Sequence, residues 1–365
     1  NDEVEIGLND IATEGTFVWA DGSADTYRNW AGGTPEAAGN TGIADVVRLM
    51  PSGLWQVRPD PSTPFALVET SAPLQVPGEF ATLQAAITFA QSTGGGVIEV
   101  APGTYDLPGR IDITRGTTIR GTAPGVVIRS STSGGVNLFL WSSLRLENLA
   151  VVMRLPTSHM IEVYDTMRLQ IVNVTVTADR GMLSPPFMLS AGVVSIERST
   201  FDSVGSLVAH STEFPESSIL TISNSVVRNV RSVITNNLGT ARSASFVNCT
   251  FVNVGGGNGP AIVGAWPFGT LANSVIVNPG PNFYGGLLRV THCLVPAPVP
   301  ALSDFGGNVV GAPQFVNAAA GDFRLLPTSP GIDAGSAAGY AISGASDFTD
   351  FNGVVRGQDI PSVPN

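Results

Sequence analysis

Asn173-Val-Thr-Val176 decides the fold, because its pattern recurs along the chain. A polar residue is followed by a small or apolar one, a further small or apolar residue, and a larger apolar one. The frame returns as Asn148-Leu-Ala-Val151, Arg198-Ser-Thr-Phe201, Asn224-Ser-Val-Val227, Asn248-Cys-Thr-Phe251, Asn273-Ser-Val-Ile276 and His292-Cys-Leu-Val295. Between successive frames lie 25, 25, 26, 24, 25 and 19 residues. From about residue 110 the chain reads strand, turn, strand, with no second helix. A repeat of this length with short strands predicts a β-solenoid, an all-β fold in which one coil cannot bury its own apolar face and several must stack. At this period residues 97 to 312 predict roughly nine coils, each rising ~4.8 Å. Five frames open on asparagine: Asn148, Asn173, Asn224, Asn248 and Asn273. An asparagine turned inward at a bend is predicted to bond backbone amides and the asparagine above it, giving a structural ladder. Asn173-Val-Thr175 and Asn248-Cys-Thr250 also match glycosylation triplets, but a position inside the coil makes the match a coincidence.

Upstream of the repeat, Phe80 to Gln91 predicts a helix, with Phe80, Leu83, Ile87 and Ala90 on one face and Gly94 to Gly96 ending it. Val97 to Val100 then predicts a short buried strand. The first ~70 residues differ in character, holding Trp19, Trp30 and Trp55 of the five tryptophans. A Pro-rich run from Pro59 to Pro64 and a break at Ser71 to Gly78 separate them from the rest. The predicted organisation is a first domain over 1–72, the solenoid with its helix over 73–312, and a closing segment over 313–365.

Composition narrows the function. The chain has 365 residues and a net charge of −11, so a row of phosphates would be repelled and nucleic acid is an unfavourable partner. Lys and Arg total 18, and the sequence contains no lysine, which excludes Schiff-base chemistry and a lysine general base. Two cysteines make no disulfide framework; Cys249 and Cys293 lie two coils apart, nearly ~10 Å, too far to bridge. Three histidines do not predict a metal site, and no apolar run is long enough for a membrane span. The chain opens on Asn1 without a signal peptide, so a processed or partial chain is expected.

With these residues on the page, the chain resembles two families. Phe80-Ala-Thr-Leu-Gln-Ala-Ala-Ile87, Gly95-Gly-Val-Ile-Glu-Val-Ala-Pro-Gly-Thr-Tyr105 and Thr118-Ile-Arg-Gly121 resemble the opening of pectate-lyase-like right-handed parallel β-helices. The resemblance implies that the helix caps the open end of the solenoid, where an uncovered edge would template aggregation. Such folds host lyases, hydrolases, adhesins and phage spikes, so fold alone assigns no activity. Gly311 to Arg356 is similar to the closing segment of secreted bacterial β-helix proteins. Ile6-Gly-Leu-Asn-Asp10, Phe17-Val-Trp-Ala-Asp-Gly-Ser23, Tyr27-Arg-Asn-Trp-Ala-Gly-Gly-Thr-Pro35, Gly53-Leu-Trp55 and Pro64-Phe-Ala-Leu-Val-Glu69 resemble the second half of a C-type-lectin-like domain, a small α+β fold. Its absent first half again implies a missing N-terminal portion.

That second resemblance implies a calcium and sugar site, but the chain departs from it. Where the family carries Glu-Pro-Asn, this chain has Thr34-Pro35-Glu36, and Trp55 is followed by Gln56-Val57. Calcium wants several oxygen ligands, and only Glu36, with Asp45 nearby, offers a carboxylate. No metal is therefore expected, with calcium left open. Val46 and Val68 stand at the family's half-cystine positions, so packing must replace the disulfides. Trp30, Glu36, Asp45 and Trp55 are the expected binding residues.

No catalytic residues are predicted. An arginine-based lyase would need an arginine beside several carboxylates on neighbouring coils. Glu162, Asp165, Asp179, Arg180, Glu197, Asp202, Arg228 and Arg231 do not stack that way when the coils are aligned. Glu162 and Asp165, three apart, would face opposite ways on a strand. Glu213 and Glu216 flank Pro215 in a polar loop. His159, His210 and His292 are dispersed. The expectation is an extracellular or cell-surface bacterial protein with a non-catalytic role in adhesion, glycan or matrix binding, or surface assembly. A polysaccharide lyase or hydrolase, and a structural subunit of an extracellular assembly, stand as alternatives. The expected partner is a polysaccharide, a surface glycan or another protein chain, with a homo-oligomer left open.

Overall fold

A computed structural model describes residues 4–10, 12–13, 15–19, 28–35, 46–50, 52, 54–58, 72–130, 136–154, 159–163, 167–179, 185–189, 192–210, 218–235, 242–255, 268–281, 283–284, 288–332, 334–336 and 350. The chain divides into two compact units, 1–71 and 72–365.

In the first unit, strands Val4–Asn9, Val18–Trp19, Val46–Leu49 and Trp55–Arg58 form one antiparallel sheet, with Val4–Asn9 and Val46–Leu49 at its centre. Ile6, Leu8, Val47 and Trp55 form its core, and Phe17, Trp19, Trp30 and Leu49 pack against them. Val46, at an expected half-cystine position, is buried. Val68 lies outside the described residues.

The second unit is a parallel β-helix. Three inward columns of apolar residues build it, because strand side chains alternate and every coil must put the same face inside. Along the first sheet the register runs from Leu74 and Ile98 through Ile119, Leu146 and Ile171 to Leu271 and Val290. Along the second it passes Ile128, Val151, Val176, Phe201, Val227, Phe251 and Ile276. The third sheet has six strands, with Ile111, Leu138, Ile161, Phe187, Val208 and Ile234 in register. Apart from the half-buried Leu74 at the edge, these columns are buried, and each large apolar side chain contributes about 1.5–3 kcal/mol through removal from water. Phe246, Phe251 and Phe283 stack edge-to-face at 6.0 and 5.9 Å in the interior.

Nine coils were expected from the period; about six turns carry all three sides among the described residues. The last third-sheet strand among the described residues is Ser232–Thr235, and residues 256–267, between Thr250–Val252 and Phe268–Ala272, lie outside them. The capping helix runs Leu83–Thr93, two to three residues later than the sequence predicts. Thr82 explains the start: its extended backbone and its side chain, accepting from the Ala85 amide, form the N-cap. Gly94, at φ 107°, ends it in the left-handed conformation. Leu83, Ala86, Ile87 and Ala90 are buried, while Phe80 packs from the edge.

The bends show why the marker residues recur. Asn148, Asn173, Arg198, Asn224, Asn248, Asn273 and His292 all adopt positive φ, between 48° and 57°. One left-handed residue turns the chain from the first sheet to the second, and asparagine tolerates that conformation better than most L-residues. Their side chains differ from the inward ladder expected. Asn173 is exposed, Asn148, Asn248 and Asn273 are half-buried, and Asn224 is buried. The Asn173 amide donates to Asn148 Oδ1 at 2.8 Å. The inward position belongs to the next residue: Ser199, Ser225, Cys249, Ser274 and Cys293 are all buried. Ser199 Oγ accepts from the Val174 amide, Ser225 Oγ from Ser199 and Ser274 Oγ from Cys249. A hydroxyl there satisfies backbone groups inside an apolar column, where leaving one unpaired would be costly. Both cysteines are free thiols, and burial pushes the Cys293 thiol up to about 12.

A second bend column follows the second sheet. Ser203, Asn229, Asn253 and Asn278 have φ between 46° and 58°. Here an exposed amide ladder does form: Asn278 donates to Asn253, Asn253 to Asn229, and Asn229 to the Asp202 carboxylate.

The closing segment was expected as a terminal cap. Its strands Phe315–Asn317 and Asp322–Leu325 pair with each other, and its described residues also touch the coils. The Arg228 guanidinium lies 5.9 Å from the Phe323 ring centroid, and Asn273 and Ser336 exchange two hydrogen bonds of 2.9 Å. The segment therefore runs along the flank of the stack.

Candidate functional site

Of the residues predicted for the first unit, Trp30 and Trp55 pack together and pair their backbones. Trp55 is 6% exposed and belongs to the core, with Trp19 and Trp30 edge-on to it at 6.0 and 5.6 Å. It packs, and offers no open face for a ligand. Trp30 is half-buried and also meets Phe17 at 5.0 Å. Arg28 lies 5.8 Å from the Trp19 ring centroid. Glu36 and Asp45 lie outside the described residues. Among the described residues, no group of three or more His, Cys, Asp or Glu side chains is placed to hold a metal ion.

The acid and base residues weighed for a lyase lie on different faces. Glu162 stands in the third sheet beside Phe139. Glu197 is on the first sheet, 3.4 Å from Arg198. Asp202 is on the second sheet, 2.7 Å from Arg228. Asp165, Arg180, Glu213 and Glu216 lie outside the described residues. His159 Nδ1 is 2.7 Å from the Pro185 carbonyl, and His292 Nδ1 is 2.8 Å from the Thr291 hydroxyl.

Several described carboxylates are held in the charged state. Hydrogen bonds from Gln75 and then Arg120 keep Glu99 below the usual range. The Arg129 guanidinium does the same for Asp106, against the opposing pull of burial. Burial is the largest influence on Asp202 and would raise it, but hydrogen bonds from Asn229, Ser203 and Arg228 together outweigh it and lower it. A general acid needs the opposite shift.

The third sheet carries a different arrangement. In Asn137-Leu-Phe-Leu-Trp141, Leu138 and Leu140 face the core, so Phe139 and Trp141 face outward. Trp141 is 51% exposed and lies 5.1 Å from Phe139. Phe139 is 7% exposed, and the Arg110 guanidinium sits 4.0 Å from its ring centroid. Arg110 Nε donates to Asp112 Oδ1 at 2.8 Å, and its second nitrogen lies 2.8 Å from the same oxygen. Register sets Asp112 and Glu162 on either side of Phe139. An exposed indole and a guanidinium–carboxylate pair joined through the Phe139 ring, on a rigid sheet, can stack on an apolar ring face and offer hydrogen bonds nearby. Composition and repeat reading missed this group. The signal was present, because two aromatics alternate with two core leucines.

Comparison with known proteins adds short similarities. No family model matches the chain. A 50-residue stretch is 46% identical to the low affinity immunoglobulin epsilon Fc receptor of Mus musculus, covering 14% of each chain. A 31-residue stretch is 58% identical to the alpha-N-acetylgalactosamine-specific lectin of Patiria pectinifera, covering 8% of this chain and 18% of that protein. The chain thus spans less than a fifth of either relative's length. Among solved structures, the PL6 family alginate lyase AlyGC aligns with TM-score 0.37 and 15% identity, over 64% of this chain and 42% of that one. The tailspike gp49 of Acinetobacter baumannii bacteriophage Fri1, a capsular polysaccharide depolymerase, aligns with TM-score 0.33 and 13% identity, over 79% and 73%. The parallel β-helix assignment rests on the sheet registers of this chain. No helix among the described residues is long and apolar enough to cross a membrane.

Proposed function

We propose that this chain is a non-catalytic carbohydrate-binding protein of the cell exterior, with the β-helix as a rigid rod and Trp141 at its contact with the glycan. The observation that carries the reading is the exposed Trp141 in ring contact with Phe139, over which the Arg110–Asp112 pair is held. A pyranose presents an apolar C–H face to an aromatic ring and hydroxyls at its rim, which this group matches. The partial similarity to a lectin named for alpha-N-acetylgalactosamine supports sugar recognition as the chain's general business.

A glycan array probed with the full chain, followed by reducing-end assays on every polymer retained, tests the reading. Retention without release, in calcium and in chelator alike, supports it. Release of reducing ends from any polymer would replace binding with depolymerisation. No retention across the array would remove carbohydrate as the partner and leave a protein-bound assembly role.

A further inference from the structure

We infer that the Trp141 surface selects uncharged glycans and rejects polyuronates; the inference rests on the carbohydrate-binding reading above. Three features set this choice. First, both Arg110 contacts fall on Oδ1 of Asp112, and among the described residues Oδ2 has no hydrogen bond. Asp112 is 48% exposed at its side chain, so Oδ2 is an open acceptor. An ionised carboxylate accepts only, so it pairs with sugar hydroxyls or amide N–H groups and repels another carboxylate.

Second, the guanidinium that would attract an acidic sugar is already committed. Arg110 is bonded to Asp112 and stacked on Phe139, an arrangement that burial of the Phe139 ring holds in place. Glu162 flanks Phe139 on the neighbouring strand. Among the described residues the Arg110 charge is matched by Asp112, and Glu162 adds a second carboxylate.

Third, residues 72–365 carry 18 acidic side chains against 15 arginines, so the unit that holds this patch is itself net negative. Charges within ~10 Å of an extended polyanion act on it at ordinary salt, and an acidic excess makes their sum repulsive. An uncharged chain stacks on Trp141 without that cost.

The test compares one polymer in two charge states. Soluble neutral hexopyranose polymers retained on the array are oxidised at C6 to the corresponding uronates, and both forms are titrated calorimetrically against the full chain. The parent is expected to bind at least tenfold more tightly than its oxidised form. Trp141→Ala should weaken the parent tenfold or more, and Trp141→Phe should recover part of the loss. Asp112→Asn keeps the shape and removes the charge, so it should narrow the preference for the parent several-fold. Raising salt should narrow it too. Equal or tighter binding of the oxidised form, lost in Trp141→Ala, would overturn the selectivity while leaving carbohydrate binding intact. Parent binding unchanged by Trp141→Ala would overturn the assignment of this surface. Binding of neither form would remove both the selectivity and the reading beneath it.

Discussion

Ser225 is the residue whose removal tests the interior most sharply. Its hydroxyl accepts the Ser199 amide at 3.1 Å and donates to the Ser223 carbonyl at 2.7 Å, and the side chain is 2% exposed. Ser225→Ala removes one oxygen and leaves the Ser199 N–H in an apolar column without an acceptor. An unpaired buried donor costs about 1–3 kcal/mol. At about 1.4 kcal/mol per factor of ten, the Ser199 amide should exchange with deuterium roughly 5- to 150-fold faster. Val174 is the internal control. Its amide is held by Ser199 Oγ, whose own donation to the Glu197 carbonyl is untouched, so its exchange should change only a few-fold. Exchange is the right assay because stacked coils open locally, and a single global transition would average the effect. Ser225→Cys is the matched comparison, since the chain itself places thiols at Cys249 and Cys293. If Ser199 and Val174 accelerate equally, the coil has opened as a whole. If neither changes, the buried hydroxyls carry no backbone bond.

Three further outcomes follow from the same geometry. Phe251→Ala should cost about 3–5 kcal/mol, because the ring is fully buried between Phe246 and Phe283; a urea titration monitored at the strands reads it. Asp202 is lowered below its ordinary 3.8, so it stabilises the fold above that pH and the contribution is lost as pH falls further; Asp202→Asn should flatten the acid limb of stability, measured by melting temperature from pH 5 to 2. Asn273→Gly keeps the left-handed bend but deletes both bonds to Ser336, so limited proteolysis should cut the closing segment faster while the β-helix fragment stays intact.

Much of the fold was legible in the sequence because its corners make a chemical demand. A one-residue left-handed bend favours asparagine, and that preference repeats once per coil, so the marker could be read without any contact information. The same logic was available five residues on, at Asn229, Asn253 and Asn278, and went unread because Ser203 interrupts the series. The side-chain direction was misjudged because hydrogen-bonding capacity suggests an inward role for asparagine. Alternation across a single bent residue instead assigns the inside to Ser199, Ser225, Cys249 and their equivalents. The closing segment's lateral course was not readable, since it depends on contacts such as Arg228 with Phe323 between positions nearly a hundred apart. Trp55 illustrates the limit for sites: a tryptophan in a binding motif and a tryptophan in a core have the same sequence. Trp141 shows the converse, because its neighbours Leu138 and Leu140 fix which way it must point.

The even register has a kinetic meaning. Pairing in the three sheets mostly joins residues one coil apart, as with Ile171 and Ile196 or Phe251 and Ile276. The loop that must close before each new coil can pay back its entropy is therefore short and nearly constant, however long the rod becomes. A nascent chain can seat each turn on its predecessor as it emerges, starting against the capping helix, so lengthening the rod would add time in proportion rather than raise the barrier.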